Sequence, residues 1–326
     1  MVNPTQVVVA GIGGYLPRRV VTNADLASTI ETTDDWIVER TGIRQRHLVE
    51  DGENTVSMAA AAARIALDAA GVAHDGVEAV ILATATPDDA FPASAVRVLN
   101  ELGAIDGFGF DISAACSGFI YALSVAEAFI ASGRIRNALV IGSEVYSRLM
   151  DWNDRRTCVL FGDGAGAVFL RAEPQGEGQP KRGILSTHLH ADGSLGDLLY
   201  VDGAVGQRER SGYLHMNGRE VFRHAVGKLS GAVSEALEAN GLTAEDIDWL
   251  VPHQANLRII DGVGRKLNLP ADRVVVTVDR HANTSAASIP LALYEAHRDG
   301  RIQPGQLVLL EALGGGMTWG SALLRM

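Results

Sequence analysis

Of the two cysteines in this 326-residue chain, one sits where a nucleophile could work. Cys116 lies in GFGFDISAACSGFIYALSVAEAFIASG (107–133). Its apolar and small residues run almost unbroken, so the segment reads as a buried strand, a tight connection and a buried helix. A thiol at a helix start meets unpaired N–H groups and the positive end of the helix dipole, and both favour a thiolate. Gly118 follows closely and leaves space beside the sulfur. An inert buried cysteine has the same surroundings, so the segment alone leaves both readings open. Cys158, in RRTCVLFG, begins an apparent strand without such a setting and reads as core.

Polar partners occur in the second half. Pro252-His253-Gln254-Ala255-Asn256 follows the apolar run 249–251, and side chains just past a buried strand are well placed for a site. His253 is equally explicable as a satisfied loop histidine. His281-Ala282-Asn283-Thr284-Ser285-Ala286-Ala287-Ser288 follows an apolar strand expected around 274–278 and leads into a helix-like 289–297. There Asn283 offers either a catalytic amide or a helix N-cap. Gly314-Gly315-Gly316 lets backbone N–H groups approach a ligand, or makes a tight turn between strands.

The elements that must position these groups alternate along the chain. Strands are expected at 6–11, 79–84, 107–112, 138–142 and 165–170, then at 183–190, 249–252, 273–276 and 306–312. Helices are expected at 55–70, which stops at Gly71, and at 226–240, which stops before Gly241. The alternation predicts an α/β fold with covered, mainly parallel sheets. RAEPQGEGQPKR (171–182) is polar and rich in proline and glycine, and separates the halves. The expected halves are 1–174, carrying the cysteine, and 175–326, carrying His253 and Asn283. They echo one another: VEAVILATATPDD with DIDWLVPHQAN, and RNALVIGSEVYS with GQLVLLEALGGG.

Composition narrows the class. The formal charge is −11, from 28 basic and 39 acidic residues, which argues against a nucleic-acid binder and requires any acidic partner to meet a local basic patch. No apolar run has the length of a membrane span. MVNPTQVVVAGIG carries no basic region before its apolar stretch, so it reads as a first strand and not a signal peptide; a cytoplasmic location is expected. Two thiols fit a reducing compartment. Three features read as structural. Gly11-Ile12-Gly13-Gly14 is followed by Tyr15-Leu16-Pro17 where a dinucleotide loop needs a helix. His188 and His190 lack a supporting metal-ligand set, and Asp163 reads as turn chemistry.

Together, DISAACSGF around Cys116, PHQAN around His253, NTSAAS from Asn283 and the terminal GGGMTWGSAL closely resemble the β-ketoacyl-acyl carrier protein synthase III family, the initiating condensing enzymes of bacterial type II fatty acid synthesis. GIGGYLP near the start, TTDDWIVERTGIRQRH at 32–47 and LFGDGAGAV at 160–168 extend the resemblance over nearly the whole chain, in order. It implies a thiolase-like αβαβα five-layered fold built from two duplicated halves, and a homodimer. It also implies acylation of Cys116 by acyl-CoA, then decarboxylative condensation with malonyl-acyl carrier protein. His253 and Asn283 would stabilise the enolate, the N–H groups of Cys116 and Gly315 would form the oxyanion hole, and no metal or redox cofactor is implied.

The resemblance further assigns Thr32, Trp36, Arg40 and Arg155 to CoA, and Phe91 to the primer pocket across the dimer interface. Arg219 departs from it, standing where the family often has asparagine near the pantetheine. The expected helix 256–266 offers Asn256 and Arg258 for docking the acidic carrier protein, with Arg265 and Lys266 readable as a solvated face. Three alternatives remain at this level: a related Cys-His-Asn condensing enzyme of polyketide or alkylquinolone type, a thioester hydrolase using the same trio, and a catalytically dead acyl-binding relative.

Overall fold

The structure, a computed structural model, describes residues 5–203 and 212–326. The first half supplies β1 (Thr5–Tyr15), β2 (Arg19–Thr22), β3 (Gln45–Leu48), β4 (Ala79–Ala83), β5 (Phe108–Ile112), β6 (Asn137–Val145) and β7 (Asp163–Pro174). Its helices are α1 (Asn23–Ala27), α2 (Asp34–Thr41), α3 (Thr55–Ala70), α4 (Ser94–Leu102) and α5 (Gly118–Ala131). The second half supplies β8 (Gly183–Ala191), β9 (Leu199–Val201), β10 (Leu214–Met216), β11 (Trp249–Pro252), β12 (Leu307–Gly314) and β13 (Thr318–Arg325). Its helices are α6 (Gly218–Ala239), α7 (Leu257–Lys266), α8 (Val278–His281) and α9 (Ser288–Arg298).

Two sheets dominate. One has the order β1-β7-β6-β4-β5 and the other β8-β13-β12-β11. In both, the first two neighbour pairs are antiparallel and the next is parallel. β1, β7, β6 and β4 therefore correspond to β8, β13, β12 and β11. The two echoes in the sequence are the β4/β11 and β6/β12 pairs. The sheets are mixed, and not mainly parallel as the alternation suggested: each half returns by antiparallel strands that carry no helical signature between them.

The layers follow from which surfaces are apolar. α5 is apolar on nearly every side, so it must be buried all round. With α9 it lies between the sheets, in one core with Ile81, Val140, Val251 and Leu310. α3 and α4 cover the outer face of the first sheet, and α6 and α7 that of the second. The result is five layers, helix-sheet-helix-sheet-helix. α3 packs closely because its facing strand is glycine: a Cβ at Gly11 would stand 2.0 Å from the Ala66 carbonyl oxygen, and one at Gly13 2.1 Å from that of Ala62. The apparent dinucleotide loop is thus strand packing.

α3 occupies the predicted span, held by an Asn54/Ser57 capping box and by Gly71 in the left-handed region. α6 begins eight residues before the predicted 226, because Asn217 caps it. Residues 273–276 form no strand. Val274 makes a single bridge to Leu250, after which the Gln254 amide takes over: its Oε1 accepts from the N–H groups of Thr277 and Val278. Cys158 lies in a turn, not a strand, although it is fully buried. Asp163 is a buried β7 residue, not a turn residue. It accepts from the Val49 N–H and from both the N–H and the hydroxyl of Ser147.

Candidate active site

Cys116 falls in a 3-10 turn (Ala115–Ser117) just ahead of α5, after Ala115 at φ 44°. The turn is locked to the glycine run. The Ser117 hydroxyl donates to Thr318 Oγ1 at 2.7 Å, and the Thr318 hydroxyl in turn donates to the Ala114 carbonyl. A Cβ at Gly314 would stand 2.5 Å from the Cys116 nitrogen, so only glycine admits this approach. The sequence favoured a thiolate here. The structure reverses that balance: burial pushes the thiol up to about 12, and the nearby Glu144 charge adds to it, against a hydrogen bond from the Ser285 side chain.

His253 projects from the end of β11, where its N–H donates to the Glu311 carbonyl of β12 at 2.8 Å. Its Nδ1 lies 2.6 Å from Ser288 Oγ, at the start of α9. Ser288 Oγ also receives the Gln254 N–H, and the acceptor it faces for its single proton is His253 Nδ1. With the Ser288 hydroxyl donating to Nδ1, Nε2 would carry the ring proton. Burial lowers the imidazole to about 3, so it is neutral at physiological pH.

Asn283 is held by the 160–162 segment: its N–H donates to the Leu160 carbonyl, and its own carbonyl accepts from Gly162. Its Oδ1 accepts the Ser285 N–H at 2.8 Å, so the amide NH₂ is the end left for a ligand. Ala282 and Ser285 flank it at φ 57° and 49°, costly conformations for non-glycine residues that the surrounding bonds impose.

Cys116, His253, Asn283 and Gly315 line one cavity of about 990 Å³, together with Phe161, Leu199 and other apolar side chains. A buried thiol therefore shares a mostly apolar chamber with two neutral N–H donors. That set can form an acyl-thioester and stabilise an enolate oxygen.

Comparison with known proteins agrees with this chemistry. The family described as 3-oxoacyl-[acyl-carrier-protein (ACP)] synthase III matches residues 110–193, and its C-terminal counterpart matches 237–326. A β-ketoacyl-[acyl-carrier-protein] synthase III of Acidiphilium cryptum is 64% identical over 318 residues, covering 98% of each chain. One of Paramagnetospirillum magneticum is 62% identical, again covering 98% of each. The crystal structure of 3-oxoacyl-[acyl-carrier-protein] synthase III from Aquifex aeolicus has a TM-score of 0.92 at 46% identity, covering 99% of this chain and 100% of that one. This chain belongs to the β-ketoacyl-acyl carrier protein synthase III family. It is an acyltransferase of the thiolase-like fold.

Other features of this chain lie around the chamber. Arg40 and Arg155 stack on Trp36, with guanidinium carbons 4.7 and 5.2 Å from the ring centroid. Nearby Thr32 Oγ1 is buried without a partner. These four residues stand outside the cavity lining. Asn256 joins them to it, since its amide donates to the Arg40 carbonyl at 3.0 Å and its Oδ1 caps α7 by accepting the Arg258 N–H. Arg258 lies over Phe222, 5.8 Å from the ring centroid, and Phe222 lines the cavity. Arg219 is exposed on the first turn of α6. Phe91 is 85% exposed and does not line its own chain's cavity. Arg265 and Lys266 occupy the last turn of α7, where they complement the helix dipole.

His188 and His190 both reach Glu235, at 3.2 and 2.6 Å. Among the described residues no group of three such side chains could hold a metal ion. Sequence reasoning did not single out Ser288 or Glu144. A serine in a run of small residues carries no signal of its own. Glu144 did leave one, as a lone carboxylate in the apolar run ALVIGSEV.

Proposed function

We propose that this chain moves an acyl primer from acyl-CoA to Cys116 and then condenses it with the malonyl unit of malonyl-acyl carrier protein, releasing CO₂. The observation that carries the reading is what already occupies its two polar side chains: Ser288 Oγ takes His253 Nδ1 and so leaves Nε2 for a ligand, and the Ser285 N–H takes the Asn283 oxygen and so leaves the amide NH₂. In the first half-reaction the Cys116 sulfur attacks the thioester carbonyl and CoA leaves. The N–H groups of Cys116 and Gly315 serve the tetrahedral oxyanion. In the second, loss of CO₂ puts negative charge on the malonyl thioester oxygen, where the His253 and Asn283 N–H groups receive it. The resulting carbanion attacks the acyl-cysteine. The thioester itself makes the α-carbon acidic, so this sequence of steps calls for no cofactor. A papain-like hydrolase needs its histidine as a base, and burial, which lowers this imidazole to about 3, disfavours that role.

Trp36, Arg40 and Arg155 suit the CoA adenine, since indole and guanidinium planes stack on a base, and the orphan Thr32 hydroxyl suits a nearby polar group. The working unit is a homodimer. β5 is an edge strand, and Phe91, Ile105 and Phe108 near it are 85%, 84% and 44% exposed. Covering that patch with a second copy would also bring Phe91 to the partner's primer pocket. The boundary between the duplicated halves falls at 174/175, at the end of β7. The absence among the described residues of a helix long and apolar enough to cross a membrane is compatible with work in the cytoplasm.

The acidic carrier protein docks on Arg258, with Asn256 fixing α7 against α2. Arg258→Glu raises the KM for malonyl-acyl carrier protein roughly tenfold, about 1.4 kcal/mol of docking free energy, and leaves self-acylation by acyl-CoA unchanged. Steady-state kinetics with both substrates check this, and an unchanged KM removes Arg258 from the dock. The whole proposal is tested by intact-protein mass spectrometry after incubation with acyl-CoAs. A stable Cys116 adduct, discharged only by malonyl-acyl carrier protein, is expected. Spontaneous release of free acid would point to a hydrolase, and no adduct to a binder.

A further inference from the structure

One residue before Asn283 the backbone takes an expensive turn. Ala282 has φ 57° and ψ −161°, at the border of a region essentially reserved for glycine. A residue with a Cβ relaxes out of that conformation unless the chain on both sides is held. Downstream, Asn283 is pinned through its N–H to Leu160 and through its carbonyl to Gly162. Upstream lies α8, a single helical turn of four residues, too short to hold itself. Gln254 Oε1 seats its start, and the Arg44 N–H donates to the Asp279 carbonyl at 2.9 Å. Its last residue, His281, is 6% exposed and sends its side chain into the fold, where Nε2 lies 3.1 Å from Glu295 Oε2. Among the described residues its Nδ1 has no hydrogen-bond partner, and His47 meets the ring only edge-on, at 6.4 Å between centroids. Glu295 is therefore the polar anchor of this ring.

Glu295 stands on α9, seven residues after Ser288 and so two turns along the same stripe of the helix. The stripe thus carries two grips: Ser288 takes His253 Nδ1 at one end, and Glu295 takes His281 at the other. Between them Ile289, Ala292, Leu293 and Ala296 are buried in the core between the sheets, which makes α9 a rigid beam. We propose that Glu295 is a positioning residue for Asn283: it grips His281, imposes the Ala282 turn that aims the amide, and so lets one helix set the spacing of the two donors. Glu295 touches neither substrate nor the reacting atoms; it acts through His281 and the backbone.

The grip is charged and braced. Contact with His281 is the largest influence holding the Glu295 carboxyl down at about 2, with Arg280 adding to it. Arg280 pairs with Glu295 Oε1, and Arg301 lies 3.8 Å from the same oxygen. Both arginines also have partners of their own, Asp279 at 3.0 Å and Asp299 at 2.7 Å, so taking the charge from Glu295 does not strand them. His281, with an unpartnered Nδ1 already, has no such second anchor.

This inference rests on Asn283 being a donor to the enolate, and the test separates the two. CO₂ release from malonyl-acyl carrier protein and adduct formation with acetyl-CoA are measured on the full chain, beside a thermal melt. Glu295→Gln should slow CO₂ release about tenfold at an unchanged KM, because a donor aimed slightly wrong loses rate without losing the docked partner. Adduct formation should stay at the wild-type rate. A purely structural role predicts equal losses in both half-reactions, or a lower melting temperature with neither rate changed, and either result overturns the proposal. Additivity is the sharper arm. Added to Asn283→Ala, Glu295→Gln should cost nothing further, since no amide is left to aim, and a second tenfold loss overturns the proposal. If Glu295→Gln does not fold, His281 carries the test: His281→Gln places an amide N–H where Nε2 stood and should keep most of the rate, whereas His281→Leu should lose about tenfold. Equal rates in those two variants overturn the grip. If Asn283→Ala alone releases CO₂ at the wild-type rate, the donor assignment falls and this inference with it. If Asn283→Ala slows release and Glu295→Gln does not, only the positioning role falls.

Discussion

Cys116→Ala abolishes acyl-enzyme formation, a loss on the order of 10⁶-fold in turnover, the scale on which removing a covalent nucleophile acts. The sulfur sits where the Ala114–Thr318 bridge, the Gly314 approach and the cavity meet. No other described side chain on the cavity wall is a thiol, since Cys158 is buried elsewhere, in a turn. Cys116→Ser behaves nearly the same: an alkoxide in the same dry site is harder still to form. Neither change should unfold the protein. Replacing one buried sulfur removes a small apolar volume and costs about 1 kcal/mol. The measurement is intact-protein mass spectrometry with acyl-CoA beside a thermal melt. An adduct on the folded Ala variant would move the nucleophile elsewhere and remove the basis of the proposed reaction.

Much of this site is legible in the chain because function is concentrated at element ends. His253 stands one residue past β11, a run whose apolar residues announce a buried strand. α3 is legible because Asn54, Ser57 and Gly71 are local signals at both ends. Elsewhere tertiary contacts decide, and local patterns mislead. Residues 274–276 are three valines, yet a single buried glutamine amide, Gln254, takes the Val275 carbonyl and the Thr277 and Val278 N–H groups that a strand partner would have paired. The helix start at Cys116 was a sound inference about position, and the charge it favours is opposed by burial. A dipole acts over one turn, while burial strips most of the water from the sulfur and raises the thiol. The tautomer of His253 could not be read from sequence at all, because Ser288 lies 35 residues away and meets the ring only when α9 packs behind β11.

His253→Ala and Asn283→Ala each slow malonyl decarboxylation about 10²–10³-fold, or roughly 3–4 kcal/mol, while self-acylation falls much less. The asymmetry follows from charge. In the proposed acylation the developing oxyanion would lie with the N–H groups of Cys116 and Gly315. Only decarboxylation would put charge on the malonyl oxygen proposed to meet the two side chains. Asn283→Ala also leaves the Ser285 N–H without its acceptor, a local structural cost. The double variant should lose less than the product of the single losses, since the two donors serve one oxygen. Burial lowers His253 to about 3, so decarboxylation should be flat with pH from about 5 to 9, as expected of a neutral donor and not of a base. The same shift acts on stability. The folded state resists protonating this ring, so its contribution is present above the unfolded value of 6.5 and is lost as pH falls through about 3. CO₂ release from malonyl-acyl carrier protein, measured beside the rate of adduct formation, decides the matter. Equal losses in both half-reactions would mean that His253 and Asn283 hold the chamber together, without acting on the enolate.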